Sequence, residues 1–433
     1  VAGFGFTPPN SSDDDKDENK AFDPKNFGEI FQQFTGMGLN LESLIGALTG
    51  QSSATLSREL IRDLSRKFLT AHGEMPLTLT DVAESFEALT LADLWLNEVT
   101  IFPAQPIGES SALTRREWID STLAGWQELA EPLALGISEA MTIMLEENLG
   151  GENQGVAGFE LPTSAISTMM SALMTSMMST QLGQTIGTLS TTVTGANDVA
   201  LPLMANHRPF LIPENVRAWG KGLEIPETEV RIFLALREVA AARLFVATPW
   251  LRDYIRESIA LYGRGIRVDM NAMTEQAEEA ISSGDFDLNN PESMSKALAG
   301  GMFTPEETPT QKGALERLET LLALIEGWID ATVHDAAHER IPSFIRLREA
   351  QQRVRATKSP TQLLFATLIG LEVSPRRTRE AINFWEQILK IGDLATRDQI
   401  WDEALLLPSS EQLTEPESYL KSRTVPDDLS GLL

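Results

Sequence analysis

Three charged side chains stand where an apolar pattern leaves no room for them, and they are the first candidates for chemistry. Arg237 and Glu238 lie at the centre of VRIFLALREVAAARLFVATPW (230–250). There Val230, Phe233, Leu234, Ala241, Leu244 and Phe245 recur at helical spacing, while Ile232, Ala235, Leu236, Val239 and Ala240 cover the other face. A helix apolar nearly all round is bound for the interior. A second such stretch, ALERLETLLALIEGWIDATVHDAAHERI (314–341), has a stripe of Leu315, Leu318, Leu322, Ile325 and Ile329, with Leu321, Leu324 and Trp328 filling most of the rest. Glu326 is the charge left inside it. An unpaired buried charge costs several kcal/mol, so the economical expectation is that the interior charges of the two helices meet. The alternative is that Arg237 snorkels to solvent from a helix edge.

The remaining candidates carry less. HDAAH (334–338) places His334 and His338 at i and i+4, as a zinc helix does, with Asp335 between them. His334 is eight residues beyond Glu326, about 12 Å along the helix and about 80° round it, which separates the two. Asp330, Glu339 and Arg340 nearby suggest a wet helix end, where histidine benefits from the dipole. His72 is expected to end a helix and His207 to sit in a turn, and neither belongs to a Ser–His–Asp set. Met169, Met170, Met174, Met177 and Met178 read as adaptable core, and PRRTRE (375–380) as a solvated or carboxylate-paired helix start.

Composition narrows the function classes. The 433 residues, 42% hydrophobic, can bury a sizeable core. With 35 basic against 62 acidic residues the formal charge is −27, which argues against nucleic acid or an anionic membrane surface as partner. There is no cysteine, hence no disulfide, thiolate catalysis or cysteine-ligated metal. Residues 161–197 carry no charge but are too rich in Ser, Thr, Gln and Gly for a spanning helix. Met169 to Leu189 is read instead as a buried helix whose small residues allow close packing. No signal peptide is visible, and a cytoplasmic address is the default expectation.

These residues must be positioned by a mostly helical chain. Helical spacing predicts elements at 57–72, 80–99, 114–147, 314–341, 343–356, 360–370, 376–391 and 397–406, and a buried helix beginning at IPETEV with Pro226 in its first turn. The clearest strand signal is DVALPLMANHRPFLIPENV (198–216), two apolar runs that predict a β-hairpin turning near Asn206 and His207. The expected fold class is therefore α+β, predominantly α-helical, with a small hairpin or sheet beside the Val230–Phe245 helix. Residues 1–25, with the run SSDDDKDENK, are expected to be a disordered acidic arm. Residues 26–408 form the globular region, with 26–150 a candidate helical subdomain, and 409–433 an exposed tail.

LALREVAAARLFVATPWL resembles the active-site helix of a family of actinobacterial zincin-like proteins assigned as zinc-dependent metallopeptidases or hydrolases. QLGQTIGTLSTTVTGANDVALPL, FLIPENV, GMFTPEETPTQKGALERLETLLALIEGWID and FATLIGLEVSPRRTREA resemble further blocks of that family in the same order, over roughly residues 165–405. The resemblance implies a zincin-like fold and an HExxH helix. HExxH needs two imidazoles at i and i+4 on one face and a glutamate at i+1 as general base for the metal-bound water. This chain has Arg237, Glu238 and Ala241 in those places, so only the base survives. The family's further ligand is expected from EGW, either at Glu326 or at Trp328. The resulting expectation is a degenerate site of Glu238, Arg237, Glu326 and Trp328 in which Arg237 replaces the charge of zinc. No cofactor is then expected, and the role is binding of a peptide or protein partner. Two alternatives stand beside it: an active zinc peptidase with non-standard ligands, His334 and His338 among the candidates, and a helical scaffold without a cleft.

Overall fold

The computed structural model describes residues 55–109, 111–149, 163–266, 308–361, 363, 365 and 375–423. The expected arm at 1–25 lies outside them. Twelve α-helices are present among the described residues: α1 (Arg58–His72), α2 (Leu79–Leu96), α3 (Arg115–Leu149), α4 (Thr163–Ser190), α5 (Pro213–Gly220), α6 (Glu227–Ala247), α7 (Leu251–Gly265), α8 (Pro309–Ala337), α9 (Phe344–Lys358), α10 (Pro375–Ile391), α11 (Leu394–Asp398) and α12 (Pro416–Arg423).

The α6 helix is the axis of the molecule. Every residue from Phe233 to Phe245 is buried, as an all-round apolar helix requires. It packs between α2 and α8, with α5 and α9 also against it. Glu227 and Glu229 in its first turn complement the dipole. At the far end the Thr248 hydroxyl donates to the Leu244 carbonyl at 2.7 Å. The neighbouring α8 starts from a reciprocal capping box between Thr308 and Gln311, with Pro309 in its first turn, and is buried along most of its 29 residues. A second group, α1, α3 and α4, is closed by small residues. A side chain at Gly183 would meet Leu64 Cβ at 2.9 Å and the Ile61 carbonyl at 3.0 Å, so α1 and α4 touch nearly backbone to backbone. No described helix is long and apolar enough to cross a membrane.

The expected hairpin does not form, and no strand occurs among the described residues. Pro202, Pro209 and Pro213 remove ladder donors, Ala200 and His207 adopt positive φ (59° and 46°), and 213–220 is helical. What remains is Leu211, bridged singly to Ala112 and to Gly195. Three chain segments thus meet through four bonds: Leu113 N to Leu211 O (2.8 Å), Leu211 N to Ser111 O (3.1 Å), Ile212 N to Thr194 O (2.9 Å) and Ala196 N to Phe210 O (3.0 Å). Two further corrections concern the C-terminal part. The helix expected at 397–406 is α11 followed by two 3₁₀ turns. The tail expected to be exposed packs over its described part, with Leu413 and Tyr419 buried.

Candidate functional site

The interior charges of α6 and α8 meet, though only in part as the sequence suggests. Arg237 is 5% exposed, so it does not snorkel. Its Nη2 donates to Glu326 Oε1, and its Nη1 lies 3.9 Å from Asp330 Oδ1. Asp330, expected at a wet helix end, is itself buried. It accepts from Arg348 of α9 at 2.7 Å, and Arg348 also reaches Glu386 at 2.9 Å. Arg355, two turns further along α9, pairs with Glu326 at 3.3 Å and with Asp198 at 2.5 Å. With its amide oriented so that Oε1 faces the two guanidinium groups, Gln351 accepts from Arg355 Nε at 2.9 Å and Arg237 Nε at 3.3 Å. Arg237, Arg348 and Arg355 thus face the inner carboxylates Asp198, Glu326 and Asp330, with half-buried Glu386 at the edge of the network. Burial alone raises the Asp198 carboxyl, but Arg355 and the Thr194 N–H outweigh it and hold it below the ordinary carboxylate range.

Glu238 faces elsewhere. Its hydrogen bonds go to the looped segments, not to Arg237 or Glu326: Oε1 accepts from Asn197 Nδ2 (2.8 Å) and the Phe210 N–H (3.1 Å), and Oε2 from the Asn197 N–H (2.9 Å). Burial pushes this carboxyl from 4.5 up to about 8, against the pull of those donors toward the anion, and Asp198 adds to the rise. The folded protein then holds a proton between about pH 4.5 and 8 that the unfolded chain releases. Stability attached to this group is full below 4.5 and lost as pH rises through about 8. We expect Glu238→Gln to flatten that decline, its urea midpoint gaining on wild type from about pH 5 to 8.5; parallel curves would refute the assignment.

Gly195 makes the approach of this carboxylate feasible. A Cβ there would lie 2.3 Å from Glu238 Oε2 and 2.9 Å from the Phe210 carbonyl. Because the carboxylate is pinned by donors on both oxygens, it cannot step aside. Gly195→Ala is expected to lower stability by about 1–3 kcal/mol in chemical denaturation, whereas Gly313→Ala, exposed within α8 with open space at its Cβ, should raise it by about 0.5–1 kcal/mol.

Trp328 does not belong to this site. Two residues past Glu326 is about 200° round the helix, which turns it to the opposite face. There its indole N–H donates to Asp398 at 2.9 Å, its ring lies 5.2 Å from Phe102, and the Arg397 guanidinium sits 5.7 Å above it. The two C-terminal histidines are also placed apart. Their rings stack at 4.7 Å, His338 Nδ1 donates to the His334 carbonyl at 2.9 Å, and Asp335 pairs with Arg397 at 3.3 Å. His72 ends α1, its Nδ1 bonded to the Phe68 carbonyl at 2.9 Å, and burial lowers the pKa of His207. Of the methionine cluster, Met178 is buried and Met177 is 36% exposed. Arg376 and Arg377 pair with Glu380 and Glu319.

Residues 237, 238, 241 and 326 line one cavity of about 10 Å³, together with Asn197, Asp198 and Arg355. At its Ala200, Glu326 and Arg355 wall it adjoins a larger cleft of about 360 Å³, which Leu322, Thr378 and Arg379 also line. The zinc that an intact HExxH helix would hold does not fit these residues. A permanent guanidinium and a methyl group stand at the two imidazole positions, and among the described residues no group of three His, Cys, Asp or Glu could hold a metal.

In overall fold the chain is similar to the crystal structure of "a putative hydrolase with a novel fold" from Chloroflexus aurantiacus: TM-score 0.57 at 16% identity, covering 86% of this chain and 100% of that one. No curated protein matches the sequence. The model of the zincin-like metallopeptidase family matches residues 57–420, and the chain belongs to that family.

Proposed function

We propose that this protein is a zincin-like family member that has given up metal-dependent hydrolysis and serves by binding a peptide or protein segment in the cleft beside Glu326 and Arg355. The observation that carries this reading is the Arg237 guanidinium, buried at the first ligand position and ion-paired with Glu326. It supplies a fixed positive charge to the carboxylate that a metal would otherwise need, and it cannot polarise a water as zinc does. Glu238, the remaining member of the motif, is held by Asn197 and Phe210 in a space of about 10 Å³ that admits no substrate. The adjoining cleft of about 360 Å³ lies at the lower end of the range for ligand sites.

The test is metal content by mass spectrometry on protein purified without chelators, with peptidase activity measured with added zinc and with chelator. Neither bound zinc near one equivalent nor chelator-sensitive cleavage is expected, and either one overturns the loss of hydrolysis. Binding is tested on a peptide array probed with wild type and with Thr378→Trp, whose ring fills the cleft. Spots lost only in the variant support the site, and identical patterns remove it.

A further inference from the structure

A second cleft, of about 550 Å³, opens where the starts of α2 and α6 meet α5, and it shares no lining residue with the one beside Glu326. Its floor is apolar: Leu211, Val216 and Val230 are buried and Ile225 is half-buried. Seven charged side chains also line it. Four of them pair across the walls, Arg217 with Asp81 at 2.5 Å and Arg231 with Glu84 at 2.7 Å. The other three, Lys221, Glu224 and Glu227, are exposed and form the rim, one cation against two carboxylates. The turn that carries Lys221 and Glu224 has a defined shape. Gly222 and Glu224 take positive φ (85° and 54°), and the Leu223 carbonyl accepts from Arg346 of α9. Arg346 lies outside the lining, and so does Glu229, an opposite charge that accepts from the Ser343 N–H at 2.9 Å.

We propose that this cleft binds a peptide segment through one lysine or arginine side chain, whose aliphatic stem lies on the apolar floor and whose charged head meets the rim at Glu224 and Glu227. The volume is that of a ligand site, for which about 300–1,000 Å³ is usual, and it exceeds what one side chain fills, so flanking residues of the segment enter as well. Charge decides the class of occupant. Four carboxylates against three cations leave the lining one negative charge in excess, within a chain of formal charge −27. An acidic segment is repelled by both, whereas a single added cation balances the lining. A wholly apolar segment covers the floor but desolvates the rim charges without pairing them. A long basic side chain suits both parts at once, because its stem is apolar and its head is not. The cleft is separate from the one beside Glu326, and the inference does not rest on the loss of hydrolysis.

The test is an array of hexapeptides with Lys, Arg, Gln or Glu fixed at one position and mixtures elsewhere, probed at low salt with the full chain. The Lys and Arg sets are expected to give the signal, and the Gln and Glu sets at least about threefold less. Glu224→Gln with Glu227→Gln is expected to lower the Lys and Arg signal about three- to tenfold. Ala218→Trp, which fills the cleft from an exposed position, is expected to abolish it. Circular dichroism checks that each variant is folded, and the glutamate pair decides alone if Ala218→Trp is not. No signal, equal signal on the four sets, or an undiminished signal in the folded glutamate variant overturns the inference. So does a signal that survives Ala218→Trp and is lost in Thr378→Trp, since it then belongs to the cleft beside Glu326. Free pentane-1,5-diamine is the other source of the same chemistry. It is expected to compete only weakly with the Lys set, and full competition would overturn a peptide as the occupant.

Discussion

Arg237→Ala is expected to lower the stability of the protein by about 3 kcal/mol at pH 7, near the lower end of the 3–5 kcal/mol typical of a broken buried pair. The reason is the charge count. Buried Arg237 and half-buried Arg348 and Arg355 face buried Asp330 and half-buried Asp198 and Glu326, and removing the Arg237 guanidinium leaves these carboxylates in excess. The loss stays near the low end because Glu326 keeps Arg355 at 3.3 Å and Asp330 keeps Arg348 at 2.7 Å. Two companions separate electrostatics from packing. Arg237→Ala with Glu326→Gln restores the balance, and is expected to recover about 1–2 kcal/mol of the loss as a coupling energy. Arg237→Lys keeps the charge but not the planar fork that serves Gln351 and Glu326 together, and should recover only part. Chemical denaturation of wild type, Arg237→Ala, Glu326→Gln, the double variant and Arg237→Lys is the measurement. A loss below about 1 kcal/mol for Arg237→Ala, or additive single and double losses, would sink the reading of Arg237 as the keystone of this network.

How much of this could be read in advance depends on what each residue contrasts with. Arg237 and Glu326 were legible because each is a lone charge in an otherwise apolar helix, and the cost of burying it points to a partner. Arg348, Gln351 and Arg355 were not. They occupy one face of α9, RLREAQQRVRAT, in a helix so rich in charge that its inward side looks like its outward one. The only available signal was their spacing of three and four residues. Asp330 failed in the opposite way: its charged neighbours suggested solvent, while its partner came from 18 residues downstream.

Glu238 shows a different limit. Its partners are mostly backbone N–H groups, which every sequence has, and they are presented by a segment whose strand-like residues do not form a strand. The residues of 198–216 are those of strands, but Pro202, Pro209 and Pro213 cut the ladder down to single bridges at Leu211. The irregular path that results brings the Asn197 and Phe210 amides onto one carboxylate, with Gly195 clearing the space. The placing of Trp328 was a question of angle alone. A periodicity that shows both residues buried does not say which neighbour each one faces.

Reinstating both imidazoles is expected to turn the network into a metal centre. In Arg237→His with Ala241→His, positions i and i+4 of α6 carry histidines beside Glu238, and the Glu326 carboxylate loses one of its two guanidinium partners while keeping Arg355 at 3.3 Å. All four positions line one cavity, which sets the new donors around a common space. Arg237 reaches Glu326 with a longer side chain than histidine. The shortening opens a gap between imidazole and carboxylate, which a zinc ion at about 2.0–2.2 Å from each can bridge. Two imidazoles and a carboxylate make the His₂Glu set of an open zinc site. The double variant is expected to retain about one zinc per chain after exhaustive dialysis, and to gain about 2.7 kcal/mol of stability at a free zinc concentration a hundredfold above its dissociation constant. Each single variant supplies one imidazole fewer and should retain far less. A double variant that folds but binds no more zinc than wild type would show that residues 237, 241 and 326 do not converge as ligands. The cation in this helix would then be a structural feature with no metal site behind it.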